Sequence, residues 1–289
     1  MTFRELYRSI YELLKKSGTD SPESDAMELV LHFTGMNRVS YLINQDCQAE
    51  PEIVNMVCEA AEKRSEGYPL QYISGCWSFM DCELLVGEGV LIPRDDTEVC
   101  VREVLKYSWD SPLVIDLCSG SGAIAIAVAR NIPGARVIAA ELSDAAFVYL
   151  EKNTELNGVG GRVVPVKCDI KKCYDSYNDG SFDVIISNPP YIRKSEIPSL
   201  QKEVRCEPEM ALDGGEDGLD FYRTIAEKWV PKLKSGGIIA LEIGEEQGED
   251  VRKLLENNGI TELRIVKDIQ GLDRTVIGRR SHYSKTDVH

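Results

Sequence analysis

From about residue 96 onward, short apolar segments rich in β-branched residues alternate with segments of helical character. The segments predicted as strands are 113–117, 136–141, 162–166, 182–187 and 238–243. Helices are expected to begin at Gly122, after Ser143 and after Gly218. This alternation predicts a parallel sheet with helices on both faces, because each pair of parallel strands needs a crossover connection. The fold class is therefore α/β, and a ligand is expected outside the carboxyl ends of the strands.

The first 75 residues show helical periodicity instead. Apolar side chains at positions 3, 6, 7, 10, 13 and 14 form one stripe, and Gly18 follows as a stop signal. A second helix is predicted with Ser21 as its N-cap and Pro22 in its first turn, and a third begins at Pro51. Residues 76–95 have strand–turn–strand character. The predicted domains are a helical domain for packing or partner recognition (1–75), a β-hairpin linker (76–95) and an α/β domain (96–289).

The net charge of −15 bears on the kind of partner. An acidic protein opposes the phosphate neutralisation that drives nucleic-acid binding, so no direct nucleic-acid partner is expected. Residues 1–90 alone carry 15 acidic and 7 basic side chains. This excess would steer a basic protein surface toward the chain, and a merely solvated acidic face explains it equally well.

The N-terminal segment is amphipathic and charged, and it lacks the apolar stretch of a signal peptide or a membrane span. A cytoplasmic protein without membrane contact is therefore expected. Nine cysteines occur without a Cys-x-x-Cys pair, and only three histidines are present. Neither a disulfide framework nor a metal site is predicted. Cys168 and Cys173 could form a redox pair, but ordinary reduced thiols are the favoured interpretation.

The first chemical motif is an apolar strand that runs through Asp116 into a glycine-bearing turn and an apolar helix. Glycine lets the backbone pass close to a ligand, and the helix start offers free N–H donors. A dinucleotide-binding loop would have Gly-x-Gly-x-x-Gly, whereas Cys118, Gly120 and Ala123 stand at those positions. The acidic strand end and short Gly-x-Gly favour S-adenosylmethionine, with a dehydrogenase as the main competitor. The predicted cofactor loop consists of Cys118, Ser119, Gly120, Ser121 and Gly122.

Two further strand ends carry groups suited to this cofactor. Glu141 ends the next strand, where a carboxylate can accept hydrogen bonds from both ribose hydroxyls. A charge that favours a helix N-terminus is the alternative interpretation of Glu141. Asp169 and Ile170 follow the third strand. There the acid would accept from the exocyclic amine of adenine and the isoleucine would pack on the ring, with a surface loop as the alternative.

The most specific motif is Asn188-Pro189-Pro190-Tyr191, which follows a strand and lies at the same sheet edge. A planar amide or aromatic amine is a poor nucleophile, so a site must hold both N–H groups and direct the lone pair at the methyl donor. The Asn188 oxygen and the Pro189 carbonyl would each accept one hydrogen, and Tyr191 would stack on the acceptor. An Asn-Pro turn without function fits the full motif poorly. Asn188, Pro189 and Tyr191 are the predicted catalytic residues, and Pro190 completes the substrate-binding set.

With four further blocks, this motif makes the chain resemble the peptide chain release factor glutamine methyltransferases over nearly its whole length. The blocks are PLQYISG at 69–75, LIPRDDTE at 91–98, EPEMALDGGEDGL at 207–219 and residues 268–274. The resemblance implies S-adenosylmethionine-dependent methylation of the side-chain amide of the glutamine in the Gly-Gly-Gln loop of release factors. It also implies a seven-stranded Rossmann-like catalytic domain that ends in an antiparallel strand near 275–279. The small all-α domain in front would help to hold the release factor.

By this resemblance the loop at 118–122, Glu141, Ile170 and Asn188 would bind the cofactor, and residues 188–191 would hold the glutamine. Two alternative functions remain compatible with the sequence. A nucleic-acid amine methyltransferase shares the Asn-Pro-Pro-Tyr motif, and a cofactor-binding adapter would have the fold without the activity.

Three positions depart from the family pattern, which usually has glycine at Cys118, aspartate at Glu141 and proline at Asp95. A cysteine is expected to replace that glycine only if its φ angle is negative. Glutamate reaches one methylene further than aspartate toward a ribose. Both changes would alter cofactor affinity, and neither removes a group that contacts the acceptor amide.

Overall fold

The computed structural model describes residues 1–281, so residues 282–289 of the predicted α/β domain lie outside the described residues. The chain forms two compact units. The first contains Met1–Cys76 and Gln201–Cys206, and the second contains Trp77–Leu200 and the described residues from Glu207 onward. The domain boundaries drawn from the sequence at residues 75 and 95 stay a prediction.

Helices form the first unit. They are α1 (Phe3–Ser17), α2 (Pro22–Thr34), α3 (Arg38–Asn44), α4 (Pro51–Ser65) and α5 (Leu70–Ser74). A capping box of Thr2 and Glu5 begins α1, and Gly18 ends it in the left-handed conformation that glycine tolerates. Ser21 is the N-cap residue of α2 as predicted, but its side chain makes no capping hydrogen bond. The short helices α3 and α5 were not predicted.

Arg64 on α4 explains why residues 201–206 belong to this helical unit. Its guanidinium is buried, with Nε donating to Asp25 Oδ2 at 2.7 Å and Nη1 donating to Glu203 Oε1 at 2.7 Å. A buried guanidinium needs such partners because an unpaired charge there is strongly destabilising. The segment around Glu203 is therefore held by an ion pair that sequence periodicity does not reveal.

A hairpin, β1 (Cys76–Phe79) and β2 (Cys82–Leu85), precedes a seven-stranded sheet. The strands of the sheet are β3 (Leu113–Leu117), β4 (Arg136–Glu141), β5 (Val163–Lys167), β6 (Phe182–Ser187), β7 (Leu233–Glu242), β8 (Ile260–Lys267) and β9 (Asp273–Arg280). Their spatial order is β5-β4-β3-β6-β7-β9-β8, and β9 is antiparallel to both neighbours. The predicted fold class is confirmed, including the antiparallel strand near the end, whereas β8 was not predicted.

Helices cover both faces of this sheet. They are α6 (Thr97–Leu105), α7 (Ala123–Asn131), α8 (Asp144–Leu156), α9 (Asp220–Thr224) and α10 (Gly248–Asn257). One apolar core joins Val114 and Val184 to residues of α6, α7 and α8. The other joins Ile115 and Ile185 to residues of α9, to Trp229 and to α10. Side chains alternate between these two cores along each strand because successive residues point to opposite faces.

The strand register places the chemical motifs at one edge. Leu117 at the end of β3 is paired with Ser187 at the end of β6. Glu141 at the end of β4 is paired with Lys167 at the end of β5. Four parallel strands therefore end level with one another, and the residues that follow them share the edge at which α/β sheets bind ligands.

Candidate active site

The loop after β3 has a strongly left-handed backbone. Cys118, Gly120 and Gly122 have φ angles of 61°, 55° and 87°. The expectation of a negative φ at Cys118 is wrong. A side chain in this conformation costs about 1–2 kcal/mol, so the surrounding contacts stabilise a strained cysteine. Glycine is favoured at Gly122, because its φ of 87° strains any side chain and a Cβ there would also lie 2.6 Å from Leu150 Cδ1.

Asp116 lies beneath this loop and is completely buried. Its Oδ2 accepts from the Ala125 N–H at 3.2 Å, and the Ser119 hydroxyl donates to its backbone carbonyl at 2.9 Å. Within residues 1–281 its Oδ1 has no hydrogen-bond partner. Burial raises the pKa of Asp116 to about 8. Asp116 thus ties β3, the turn and the start of α7 together from below.

Glu141 joins the ends of two strands. Its Oε2 accepts from the Gly120 N–H at 2.8 Å, and its Oε1 accepts from the Ser143 N–H at 2.6 Å. The side chain is buried, and this burial raises the pKa of Glu141. The carboxylate therefore holds the glycine turn in place and also faces the pocket described next.

A pocket of about 640 Å³, counting the part open to solvent, lies at this sheet edge. Predicted site residues that line it are Cys118, Gly120, Glu141, Asp169, Ile170, Asn188 and Pro190. Apolar groups from other segments complete its wall, including Leu91, Leu142, Met210 and Phe221. The predicted residues outside the lining are Ser119, Ser121, Gly122, Pro189 and Tyr191.

The side chain of Asn188 has a fixed orientation. Its Nδ2 donates to Thr97 Oγ1 at 3.1 Å. Thr97 is buried at the start of α6, and its hydroxyl lies near enough to Glu242 to lower the pKa of that carboxyl group. In its hydrogen bond with Asn188, Thr97 is the acceptor. The amide nitrogen of Asn188 therefore faces Thr97, and Oδ1 is the end left for a ligand.

Tyr191 contacts the same carboxylate. Its hydroxyl lies 3.4 Å from Glu242 Oε1, and burial raises the pKa of Tyr191. Glu242 is 1% exposed at the end of β7, and burial raises its pKa to about 7. Glu242 thus contacts one residue of the Asn-Pro-Pro-Tyr motif directly and lies near the threonine that binds Asn188.

A glycine-rich segment supports the backbone of the motif. A Cβ on Gly214 would lie 2.7 Å from Tyr191 Cα, and one on Gly218 would lie 2.4 Å from the Tyr191 carbonyl oxygen. Gln247 donates to that same carbonyl from Nε2 at 2.9 Å. Glycine is therefore needed at both positions because the two segments pass in direct backbone contact.

Ion pairs hold together three other blocks that carry the family resemblance, at 91–98, 207–219 and 268–274. Glu207 is buried, pairs with Arg94 and accepts from the Ile92 N–H at 3.2 Å. Arg274 donates to Asp268 Oδ2 at 3.0 Å and lies 3.4 Å from Asp96 Oδ2. The Glu207–Arg94 and Arg274–Asp96 pairs link segments that are distant in sequence, and the Arg274–Asp268 pair spans the connection between β8 and β9. The blocks thus fix the loops that surround the pocket.

The groups that line the pocket suit a nucleoside better than a metal. A buried carboxylate, a glycine turn and an apolar wall match a ribose, a polar chain and an adenine ring. Among residues 1–281, no group of three or more His, Cys, Asp or Glu side chains could hold a metal ion. No helix in the same range is long and apolar enough to span a bilayer.

Sequence reasoning missed Thr97, Glu242 and Gln247. Thr97 lies within the block at 91–98 that carries the family resemblance, but the sequence assigned it no role. Glu242 is an acid at the carboxyl end of a parallel strand, which is the same signal that identified Glu141. Nothing in the sequence marks Gln247, because its contact depends on how β7 and α10 are joined.

Known proteins resemble this chain over nearly its full length. Residues 5–75 match the PrmC N-terminal domain model, and residues 97–215 match the methyltransferase small domain model. The release factor glutamine methyltransferase of Geobacter sulfurreducens is 36% identical over 267 residues, covering 92% of this chain and 92% of the relative. The enzyme of the same name from Moorella thermoacetica is 35% identical over 283 residues, covering 97% and 99%.

A crystal structure of a Pyrococcus furiosus methyltransferase shares the fold, with a TM-score of 0.52 and 19% identity over 71% of this chain and 91% of that one. The full-length relatives extend the comparison from fold to family. Both units are matched in one continuous alignment, so the likeness is not confined to a widespread fold. The chain belongs to the release factor glutamine methyltransferase family, whose members are S-adenosylmethionine-dependent enzymes.

Proposed function

We propose that this enzyme transfers the methyl group of S-adenosyl-L-methionine to the side-chain amide nitrogen of the glutamine in the Gly-Gly-Gln loop of peptide chain release factors. The names of the full-length relatives support the release factor as substrate. The observation that carries the chemistry is the Asn188 side chain, whose nitrogen is bound by Thr97. Its oxygen is therefore the atom available to a substrate N–H.

The residues that would hold the cofactor are those that line the pocket. Glu141 would accept from the ribose hydroxyls, and Cys118 and Gly120 of the loop at 118–122 would contact the polar chain of the cofactor. Ile170 and Asp169 would contact adenine on its face and at its amine. When bound, S-adenosylmethionine supplies an electrophilic sulfonium methyl group and leaves as S-adenosylhomocysteine.

The acceptor amide needs two hydrogen-bond acceptors, because its nitrogen lone pair is delocalised into the carbonyl. Asn188 Oδ1 would accept one N–H, and the backbone carbonyl of Pro189 would accept the other. The nitrogen gains positive character as the methyl group is transferred, and these two oxygens would stabilise it as preorganised dipoles. One of its two protons then passes to solvent, which leaves the neutral N-methyl amide. Tyr191 would contribute by holding the backbone of the motif in place, since its hydroxyl contacts Glu242.

The net charge of −15 supports a protein acceptor over a nucleic acid. The excess of acidic side chains within residues 1–90 would complement a basic surface of a release factor. Binding of the release factor to the enzyme should therefore weaken as salt is added. The charged surface of the enzyme that takes part should be acidic, not basic.

Transfer of a labelled methyl group tests the proposal. Label should appear on a purified release factor and should disappear when its Gly-Gly-Gln glutamine is replaced by alanine. Asn188→Ala should lower turnover by about 100-fold or more while the circular dichroism spectrum stays unchanged. Asn178→Ala is the matched control, because Asn178 is exposed outside the pocket. Continued labelling of the glutamine variant, or label on RNA or DNA instead, would contradict the assignment.

A further inference from the structure

Two cysteines lie against each other beside the pocket. Cys173 Sγ and Cys168 Sγ are 2.7 Å apart, and both side chains are half-buried. Cys168 lines the pocket directly after β5, and Cys173 begins a single 3₁₀ turn. This separation is longer than the roughly 2.05 Å of a disulfide bond and short enough for a hydrogen bond between the two thiols. The sequence favoured ordinary reduced thiols at these positions, and in the structure the two free thiols lie next to each other.

The backbone between them is already closed. The Lys172 and Cys173 N–H groups both donate to the Asp169 carbonyl at 2.9 Å, and the Lys171 N–H donates to Asp169 Oδ1 at 2.9 Å. This turn holds residues 168 and 173 at its two ends. A bond between the sulfur atoms would therefore require little backbone movement, which is the main obstacle to forming a disulfide.

The two thiols differ in reactivity. A shared hydrogen bond lowers the pKa of Cys173 and raises that of Cys168. Burial raises the pKa of Cys118, the third cysteine at this pocket, well above its ordinary value. Because the thiolate is the reactive form, Cys173 is the nucleophile of the group and Cys168 is its nearest partner.

We propose that Cys168 and Cys173 form a reversible redox modification site that takes a peroxide as its oxidant. The Cys173 thiolate attacks one peroxide oxygen, the O–O bond breaks, and Cys173 becomes a sulfenic acid as hydroxide leaves. The Cys168 sulfur then attacks Cys173, the S–O bond breaks, and water leaves as the disulfide forms. Two electrons pass from the thiols to the peroxide, and a dithiol reductant returns them.

The disulfide would close a ring of six residues, 168–173, that includes two predicted cofactor contacts. Asp169 and Ile170 lie inside this ring and line the pocket. The covalent bond is shorter than 2.7 Å, so it draws the Cys168 side chain away from its present place in the wall. Small gaps in a packed wall lose a substantial part of the dispersion contact. Oxidation should therefore weaken S-adenosylhomocysteine binding by about threefold.

The chemical step is tested on the whole protein with hydrogen peroxide. Wild type should lose the mass of two hydrogens, peptide mapping should join Cys168 to Cys173, and dithiothreitol should reverse the change. Cys168→Ser should stop at a sulfenic acid on Cys173 that dimedone traps, and the matched control Cys118→Ser should still form the disulfide. A bond from Cys168 to Cys118 would overturn the proposal. So would oxidation of the exposed Cys47 and Cys206 before this pair.

A separate measurement tests whether the Cys168–Cys173 disulfide weakens binding at the cofactor site. Calorimetry would measure S-adenosylhomocysteine binding to reduced and oxidised wild type, and to the Cys168→Ser, Cys173→Ser double variant after the same treatment. The threefold loss should occur in wild type and be absent from the double variant. Equal affinities for the two forms of wild type would refute the coupling. Neither measurement uses a release factor, so failure here is distinguishable from failure of the proposed substrate.

Discussion

Glu242→Gln tests the link between a buried carboxylate and the Asn-Pro-Pro-Tyr motif. Glu242 is 1% exposed and contacts the Tyr191 hydroxyl, and its Oε2 has no hydrogen-bond partner within residues 1–281. Burial raises its pKa from 4.5 to about 7. The protonated side chain is therefore the form that the folded protein favours below neutral pH.

The direction of the change in unfolding free energy with pH follows from proton binding to Glu242. Between about pH 4.5 and about pH 7 the folded protein holds a proton on Glu242 that the unfolded chain has released, so the free energy of unfolding falls as pH rises through this window. The stabilisation is complete below about pH 4.5 and lost above about pH 7. One pKa unit corresponds to about 1.4 kcal/mol, so the whole change is about 3 kcal/mol. Glutamine cannot titrate, so Glu242→Gln removes this pH dependence.

Urea unfolding of wild type and Glu242→Gln at several values between about pH 5 and about pH 8 measures the effect. The free energy of unfolding of the variant, relative to wild type, should rise by about 3 kcal/mol across the window. An unsatisfied amide N–H in the variant would lower its stability equally at every pH, so the slope remains the readout. Glu246→Gln is the control at an exposed glutamate. Parallel pH profiles for wild type and Glu242→Gln would refute the argument.

Other substitutions test the parts of the site separately. Thr97→Val keeps the shape but removes the hydroxyl that orients Asn188, so methyl transfer should fall about tenfold or more while S-adenosylhomocysteine affinity is nearly unchanged. Cys118→Gly should raise the free energy of unfolding by about 1 kcal/mol in denaturant titrations, because it relieves a left-handed side chain; a loss of stability would contradict the strain. Gly122→Ala should lower the free energy of unfolding by about 2 kcal/mol or more, since the new Cβ meets Leu150. An unchanged melting temperature would contradict this close packing.

The sequence predicts which edge of the sheet carries the site, because each predicted site residue lies at or just after the end of a strand. Glu141 and Asn188 follow apolar, β-branched segments, and a parallel sheet brings such ends level. Strand β8 escaped prediction for the opposite reason. It lies at the sheet edge with mixed polar and apolar residues, and Glu262 has a φ of 52° where its register shifts against β9. That irregularity breaks the alternation by which a strand is recognised.

The backbone of the cofactor loop could not be predicted from the identity of its residues. A cysteine favours negative φ, and the expectation at Cys118 followed that preference. The structure holds it at 61° because Asp116 ties the preceding strand to α7 and Glu141 binds the Gly120 N–H. Two carboxylates on neighbouring strands thus outweigh a local cost of about 1–2 kcal/mol. Local preference is informative only where tertiary contacts do not fix the backbone.

The orientation of the catalytic amide is also a tertiary property. The two ends of an asparagine side chain have almost the same shape, so the Asn-Pro-Pro-Tyr motif alone leaves open which end faces the substrate. Thr97 decides this, because its Oγ1 accepts from Asn188 Nδ2 and leaves Oδ1 for a ligand. The two residues come from α6 and the loop after β6, and neither marks the other in the sequence. An enzyme that kept the motif but lost Thr97 would keep the acceptor groups and lose the hydrogen bond that orients Asn188.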